Sequence, residues 1–267
     1  MTKKYGNEVL YIKRKGKFRR FFKRLFYVVF TITIAVLFGG MFSSIGDSSL
    51  GIHILGQRDR VKISAKTYYA LNMGTYANLD DAKSTANVVI QAGGGGYIWK
   101  TGQNYVVLGS IYLNEKDCNK VVENIAEQYK ASVYKIKLPK CNFVVEDITR
   151  NERKTIQKSV EYCNEIFESL YEISIDYDTG KISNIAVGAK VNSLKSQVSS
   201  KKSEIYNLYT KYNVACLNSI HSTYLAIEDV MDLLINQMLT VENNQHLVKY
   251  AFMEIMDNCY KLRNNLR

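Results

Sequence analysis

An uninterrupted apolar stretch near the N-terminus constrains this chain more than any other feature. Residues 25–45 form a run of 21 residues without a charged side chain. As a helix, a segment of this length would be about 30 Å long, which matches the hydrocarbon thickness of a lipid bilayer. The sequence therefore predicts a transmembrane helix at residues 25–45.

The charges around this stretch predict its orientation. Residues 1–24 hold ten Lys or Arg and one acid, a net charge of +9, whereas the rest of the chain has 26 basic and 24 acidic residues, a net +2. The positive-inside rule makes residues 1–24 a basic cytoplasmic tail and places the C-terminal domains outside. We expect the basic residues at positions 3–24 to lie on anionic lipid headgroups, and this explanation of the charge argues against nucleic acid as a partner.

A cleavable signal peptide is the alternative for the same segment, because Ser44 and Gly46 form a small-x-small pair. The basic flank of 24 residues and the apolar run of 21 residues are both long for a signal peptide. We therefore favour an uncleaved anchor. Residues 46–63 would then be a linker that reaches at most about 60 Å when extended.

Residues 64–140 predict alternating strands and helices with an internal repeat. A β-rich segment ends at Gly74 and is followed by the helix cap Asn78, and a second ends at Gly109 and is followed by the cap Asn114. The order βαββαβ with right-handed crossovers predicts a ferredoxin-like unit. Such a unit is a four-stranded antiparallel sheet with both helices on one face.

Residues 141–267 change character, because glycine becomes rare and apolar residues recur at steps of three and four. This spacing predicts an all-α helical bundle or antiparallel coiled-coil region. The candidate helices are residues 148–171, 183–219, 222–240 and 245–262. The predicted fold class is thus α+β: a transmembrane helix, a βαββαβ domain and a C-terminal helical domain.

Strand alternation predicts an aromatic face on the sheet. Leu71, Val106 and Leu108 belong to the sets expected to meet the two helices, while Val107 should face the other way. Aromatic rings beside amides and hydroxyls suit a sugar polymer, since rings stack on sugar faces while polar groups bond hydroxyl and N-acetyl groups. The alternative is that the C-terminal helices cover this face. The outward set is Tyr68, Asn72, Tyr97, Trp99 and Tyr105, with Thr75 at the edge.

The two repeated segments resemble a known family. YYALNMGTYANLDDA, from residue 68, and YVVLGSIYLNEKDC, from residue 105, are similar to the strand–glycine–helix openings of a SPOR domain, the sporulation-related repeat of bacterial cell-division and sporulation proteins. The resemblance covers residues 68–138. It implies binding to peptidoglycan glycan strands through an open sheet face, and a bacterial cell membrane as the site of the anchor.

The resemblance also implies which residues bind the glycan. The family's groove glutamine falls on Asn72, its small hydroxyl residue on Thr75, and its third-strand groove positions near Gln103 and Tyr105, where an aromatic and a basic residue are often found. Trp99 could supply the missing aromatic ring from the neighbouring strand. The predicted glycan-binding set is Tyr68, Asn72, Thr75, Tyr97, Trp99, Gln103 and Tyr105.

Enzymatic motifs are absent from the sequence. Three widely separated histidines form no HExxH pattern, no G-x-S-x-G occurs, and the five cysteines include no CxxC pair. We therefore expect no catalytic residues, no metal and no cofactor.

The predicted function is a non-catalytic, single-pass membrane protein that binds peptidoglycan in cell division or sporulation wall synthesis. The alternative is a scaffold in the cell-wall space whose residues 141–267 bind a protein partner or self-associate. A wall hydrolase with an unrecognised site in the helical region is a third possibility.

Overall fold

The larger sheet is built around its longest strand, β2 (Lys66–Tyr76). This strand pairs on one side with β4 (Asn104–Tyr112) and on the other with β5 (Ser132–Leu138), while β3 (Tyr97–Thr101) pairs with β4 at the edge. The strand order is β3-β4-β2-β5, and every pairing is antiparallel. Register shifts interrupt the β2–β4 ladder near Asn72, and such irregularities bend a strand.

Two short helices cover one face of this sheet. Helix α1 (Leu79–Gln91) starts at Asn78, whose side chain accepts a bond from the Asp80 amide, and α2 (Glu115–Ile125) starts at Asn114, which caps it in the same way. A small cluster of buried apolar residues fills the space between α1 and the sheet. The members of that cluster are Ala82, Ala86, Val89 and Val107.

A second, two-stranded sheet joins distant parts of the chain. Strand β1 (Arg60–Ile63) pairs antiparallel with β6 (Cys141–Val144), so that Arg60 lies opposite Val144. The sequence predicts neither strand, and β1 occupies the end of the predicted linker, residues 46–63.

Four long helices follow: α3 (Arg150–Asp178), α4 (Asn184–Tyr212), α5 (Ala215–Thr240) and α6 (Gln245–Asn265). They form a ring in which α3 packs on α4, α4 on α5, α5 on α6, and α6 on α3. Asn213, with a left-handed φ of 50°, separates α4 from α5. The sequence places this break later, after residue 219.

Helices α3 and α6 also close the second face of the large sheet. One core of buried residues runs from the sheet side chains Tyr68, Trp99 and Leu108 into Phe167 of α3 and Phe252 of α6. The predicted boundary between residues 140 and 141 therefore falls inside a compact unit that spans residues 57–267.

The structure is a computed structural model that describes residues 60–240 and 245–267. These residues form six helices and two small antiparallel sheets, with 63% helix. The predicted basic tail (1–24), transmembrane helix (25–45) and most of the linker lie outside them.

The predicted fold class needs correction. In residues 60–240 and 245–267, no helix combines the length and apolar composition needed to cross a bilayer. The predicted single-pass transmembrane fold and the membrane localisation drawn from it are wrong for the part of the chain that the structure describes. The sheet is also not open, because helices cover both of its faces and join it to the bundle in one core.

Candidate functional site

The aromatic residues of the predicted glycan face are buried. Tyr68 is 1% exposed, and its ring packs edge-on against Phe167 of α3 with centroids 4.9 Å apart. Its hydroxyl donates to Glu168 Oε1 over 2.8 Å. Burial and the neighbouring Glu168 raise the pKa of Tyr68, so the phenol stays protonated in the interior.

Helix α6 covers the other two rings. Tyr97 is 8% exposed and donates to Asp257 Oδ2 over 2.7 Å, and burial together with Asp257 raises its pKa. Trp99 is 2% exposed and meets Tyr260 edge-on at 5.2 Å. None of these rings can stack on a sugar while the bundle is in place.

The remaining predicted residues do not gather into one site. Asn72 Nδ2 donates to Ser132 Oγ over 3.1 Å and lies 3.5 Å from Thr75 Oγ1, so these polar groups are neighbours where the pairing of β2 with β5 ends. Gln103 is exposed in the turn after β3. Tyr105 packs with the cluster under α1, on the opposite face from Trp99.

Tyr105 lies on the opposite face of the sheet from the predicted one, because the side chains of β4 alternate in the reverse sense to that expected. Val107 faces α1 and Val106 and Leu108 face the bundle, which reverses the predicted assignment. All these residues are apolar, so hydrophobicity alone could not tell the two faces apart once helices cover both.

A cavity lies on the α1–α2 side of the sheet, where α3 ends and α6 begins. Its volume is about 610 Å³, within the range of roughly 300–1,000 Å³ that small-molecule sites occupy. Three tyrosines line it, Tyr112, Tyr129 and Tyr171. We call it the tyrosine cleft.

The floor of the tyrosine cleft is apolar and kept open by a glycine. Leu71 and Met73 of β2 form the floor beside Gly109 of β4. A β-carbon at Gly109 would come within 3.1 Å of Leu71 Cδ2 and 3.4 Å of Met73 Cγ. Glycine at this position therefore avoids a tight contact with the floor side chains.

Polar groups stand at the rim of the cleft. Helix α2 contributes Asp117, Lys120 and Asn124 from one face, and α3 contributes Asp178. Lys120 and Asn124 are exposed. A carboxylate, an ammonium group and an amide together can accept and donate hydrogen bonds to a ligand that lies on the rings.

Lys249 of α6 fixes the wall of the cleft. Its Nζ lies 2.8 Å from Asp178 Oδ2 and donates to the Gly93 carbonyl over 2.8 Å, with the side chain 17% exposed. This contact joins the ends of α3 and α6 to the loop after α1. The cleft is thus held by elements from both the sheet unit and the bundle.

Tyr112 and Tyr171 are neutral hydrogen-bonding groups of the cleft. Burial, with a smaller contribution from Cys118, raises the pKa of Tyr112 to about 12, and burial also raises that of Tyr171. The two rings meet edge-on at 6.3 Å. They offer hydroxyls and ring edges rather than charge.

Residues 60–240 and 245–267 present no candidate metal centre. No group of three or more His, Cys, Asp or Glu there could hold a metal ion. The five cysteines are unpaired thiols, four of them buried. His53 lies outside the described residues.

The cleft is not predicted by the local sequence. A signal was present on α2, where Asp117, Lys120 and Asn124 share a face through steps of three and four. Asp178 and Lys249 could not be placed beside it, since they are distant in sequence.

Comparison with known proteins identified no relative of this chain. No protein family, no curated protein and no solved structure matches this chain. The resemblance to a SPOR domain therefore stays a prediction.

Proposed function

We propose that this chain is a non-catalytic carbohydrate-binding protein whose tyrosine cleft receives a segment of a glycan strand. One observation carries the proposal: three tyrosine rings line a cavity of about 610 Å³ whose rim bears a carboxylate, an ammonium group and an amide. Sugars present apolar ring faces and a fringe of hydroxyl groups, so they match rings bordered by polar side chains.

Peptidoglycan is the glycan that the sequence favours. The segments beginning at Tyr68 and Tyr105 supply that expectation through their resemblance to SPOR domains. The tyrosine cleft replaces the sheet face as the binding site in this proposal, because the rings of that face lie under α3 and α6. A role in cell division or sporulation wall synthesis rests on the same resemblance alone.

Co-sedimentation with purified peptidoglycan tests the proposal. Asn124→Ala combined with Tyr129→Ala removes one rim amide and one ring, and we expect roughly a tenfold weaker affinity, equivalent to about 1.4 kcal/mol. Tyr206→Ala is the matched control, since Tyr206 is 49% exposed on α4 and lies outside the cleft. Equal pelleting of the double variant would show that the site is wrong, and no pelleting of the unaltered chain would remove the function.

A scaffold function is supported by a different observation. The outer surface of α5 exposes three leucines, Leu225 at 42%, Leu233 at 55% and Leu239 at 70%. Self-association through this surface would bury them. Light scattering over a range of concentrations should then give a dimer that Leu233→Glu reduces to a monomer, and a monomeric unaltered chain would exclude this function.

A further inference from the structure

The large sheet ends in a strand that is paired on one side only. In the order β3-β4-β2-β5, strand β5 pairs with β2 along all seven of its residues, Ser132–Leu138. Within residues 60–240 and 245–267, no strand pairs with the other side of β5, and no turn or loop forms a backbone hydrogen bond with it. We call this unpaired side of residues 132–138 the β5 edge.

The β5 edge is long enough to receive another strand. An edge strand presents a row of backbone N–H and C=O groups that have no partner in the sheet, and an extended peptide can pair with them by strand addition. Seven residues of strand span about 23 Å. Pro139, which follows directly, has no N–H to offer and limits the edge to residues 132–138.

Positive charge is concentrated along this edge. Residues 130–140 contain four exposed lysines and no acidic residue. The four are Lys130, Lys135, Lys137 and Lys140. Among the described residues, only Lys135 has an acidic partner, since its Nζ lies 2.9 Å from Glu115 Oε1. The segment therefore keeps an excess of positive charge beside an unpaired backbone.

The two faces of β5 differ in character. Ile136 belongs to the core shared with the bundle, and Tyr134 packs against that core. Alternation along the strand places Lys135 and Lys137 on the other face, and the ion pair of Lys135 with Glu115 of α2 agrees with this. A strand added at the β5 edge would meet two lysines on one face and an aromatic ring on the other.

The lysines decide which kind of strand fits. Antiparallel pairing of two β5 strands would place the lysines of both copies on the same face of the joined sheet, and like charges on neighbouring strands are destabilising. A second copy of this edge is therefore disfavoured as the occupant. A strand that carries carboxylates on that face gains opposite-charge pairs with Lys135 and Lys137.

We propose that the β5 edge binds, by strand addition, an extended segment of a partner protein in which Asp or Glu alternates with apolar residues. The backbone of the segment pairs with the unpaired groups of residues 132–138. Its carboxylates lie beside Lys135 and Lys137, and its apolar side chains lie on the side of Tyr134. This binding surface is separate from the tyrosine cleft, because Lys137 does not line the cleft.

Fluorescence anisotropy with a labelled, C-terminally amidated peptide of sequence Glu-Val-Glu-Thr-Glu-Val-Glu tests this proposal. We expect saturable binding to the whole chain. Lys137→Glu replaces an attraction by a repulsion and should weaken the affinity about tenfold. This variant should fold normally, because Lys137 is exposed and has no ion pair with a described residue.

Two controls separate strand addition from general charge attraction. Lys190→Glu, at an exposed position of α4, makes the same change in net charge and should leave the affinity unaltered. The same peptide N-methylated at its three central residues keeps its charge but loses backbone N–H donors, and it should not bind. The proposal is overturned if the unmodified peptide does not bind, if the N-methylated peptide binds equally, or if Lys137→Glu has no larger effect than Lys190→Glu.

The outcome is independent of the function proposed for the tyrosine cleft. Lys137→Glu should sediment with peptidoglycan as the unaltered chain does, since Lys137 lies outside the cleft lining. Peptide binding and peptidoglycan binding can therefore fail separately.

Discussion

Glu152 shows how a single side chain can join two helices. Its Oε2 accepts from the Thr149 amide over 2.8 Å and from the Thr149 hydroxyl over 2.7 Å, which completes the capping box of α3. It also accepts from Tyr212 and pairs with Lys211 at 2.8 Å, both at the end of α4. Burial alone would raise the pKa of Glu152, but hydrogen bonds from Lys211, Thr149 and Tyr212 outweigh it and lower the pKa to about 2.

We predict that Glu152→Gln lowers the free energy of unfolding at neutral pH by about 1–2 kcal/mol, the cost of a lost helix cap. The folded pKa lies below the ordinary value of 4.5, so the stabilisation is present above about 4.5 and is lost as the pH falls toward about 2. Urea unfolding across this range should show that the free energies of unfolding of Glu152→Gln and of the unaltered chain converge as the pH falls.

Glu123→Gln serves as the control, because this exposed glutamate of α2 forms no ion pair with a described residue. The free energy of unfolding of Glu123→Gln should equal that of the unaltered chain across the same pH range. A gap between Glu152→Gln and the unaltered chain that stays constant down to the lowest pH would contradict the prediction.

At the scale of elements, the loop after α1 sets how closely α6 approaches the sheet. The Gly95 amide donates to the Gly109 carbonyl over 2.8 Å, which fixes this loop on β4. A β-carbon at Gly95 would lie 2.0 Å from Met253 Cε and 3.1 Å from the Tyr250 amide nitrogen. Glycine at this position therefore permits a close contact between the loop and α6.

We predict that Gly95→Ala destabilises the fold by about 1–3 kcal/mol, because overpacking against a backbone atom forces α6 to shift. Gly188→Ala in α4 is the matched substitution. A β-carbon there meets nothing within 4 Å, and alanine should stabilise the helix by about 1 kcal/mol. Thermal unfolding should show a lower midpoint for Gly95→Ala and a higher midpoint for Gly188→Ala than for the unaltered chain. A raised midpoint for Gly95→Ala would refute the close contact.

At the scale of the whole molecule, the sheet and the bundle depend on each other. Tyr68, Tyr97 and Trp99 are buried because α3 and α6 cover them. Removing those helices would expose three aromatic rings on a four-stranded sheet, and an exposed patch of this kind promotes aggregation.

We predict that residues 64–140 alone do not form the native sheet, whereas residues 57–267 do. Trp99 is the only tryptophan of the chain, so its fluorescence reports this directly. The longer chain should show a blue-shifted emission that moves red in one cooperative step with denaturant. The fragment should show red-shifted emission or aggregate, and a cooperative, blue-shifted fragment would show that the sheet is independent of the bundle.

Local sequence determined where many elements begin and end. Asn78 and Asn114 cap α1 and α2 as their sequences predict, and apolar steps of three and four mark most of the long helices, because these signals act within one turn of the chain. What the local pattern could not decide was which face of each strand would be covered, since Val106 and Val107 are equally apolar.

Only the tertiary structure decided the sites. The pairing of β1 with β6, the covering of Tyr97 by α6 and the approach of Lys249 to Asp178 join residues that are about 70 or more positions apart. No periodicity encodes such contacts, because they depend on how whole elements pack against one another. The sequence thus specified helices, strands and an aromatic set, while packing buried those rings in the core and formed the tyrosine cleft on the other face of the sheet.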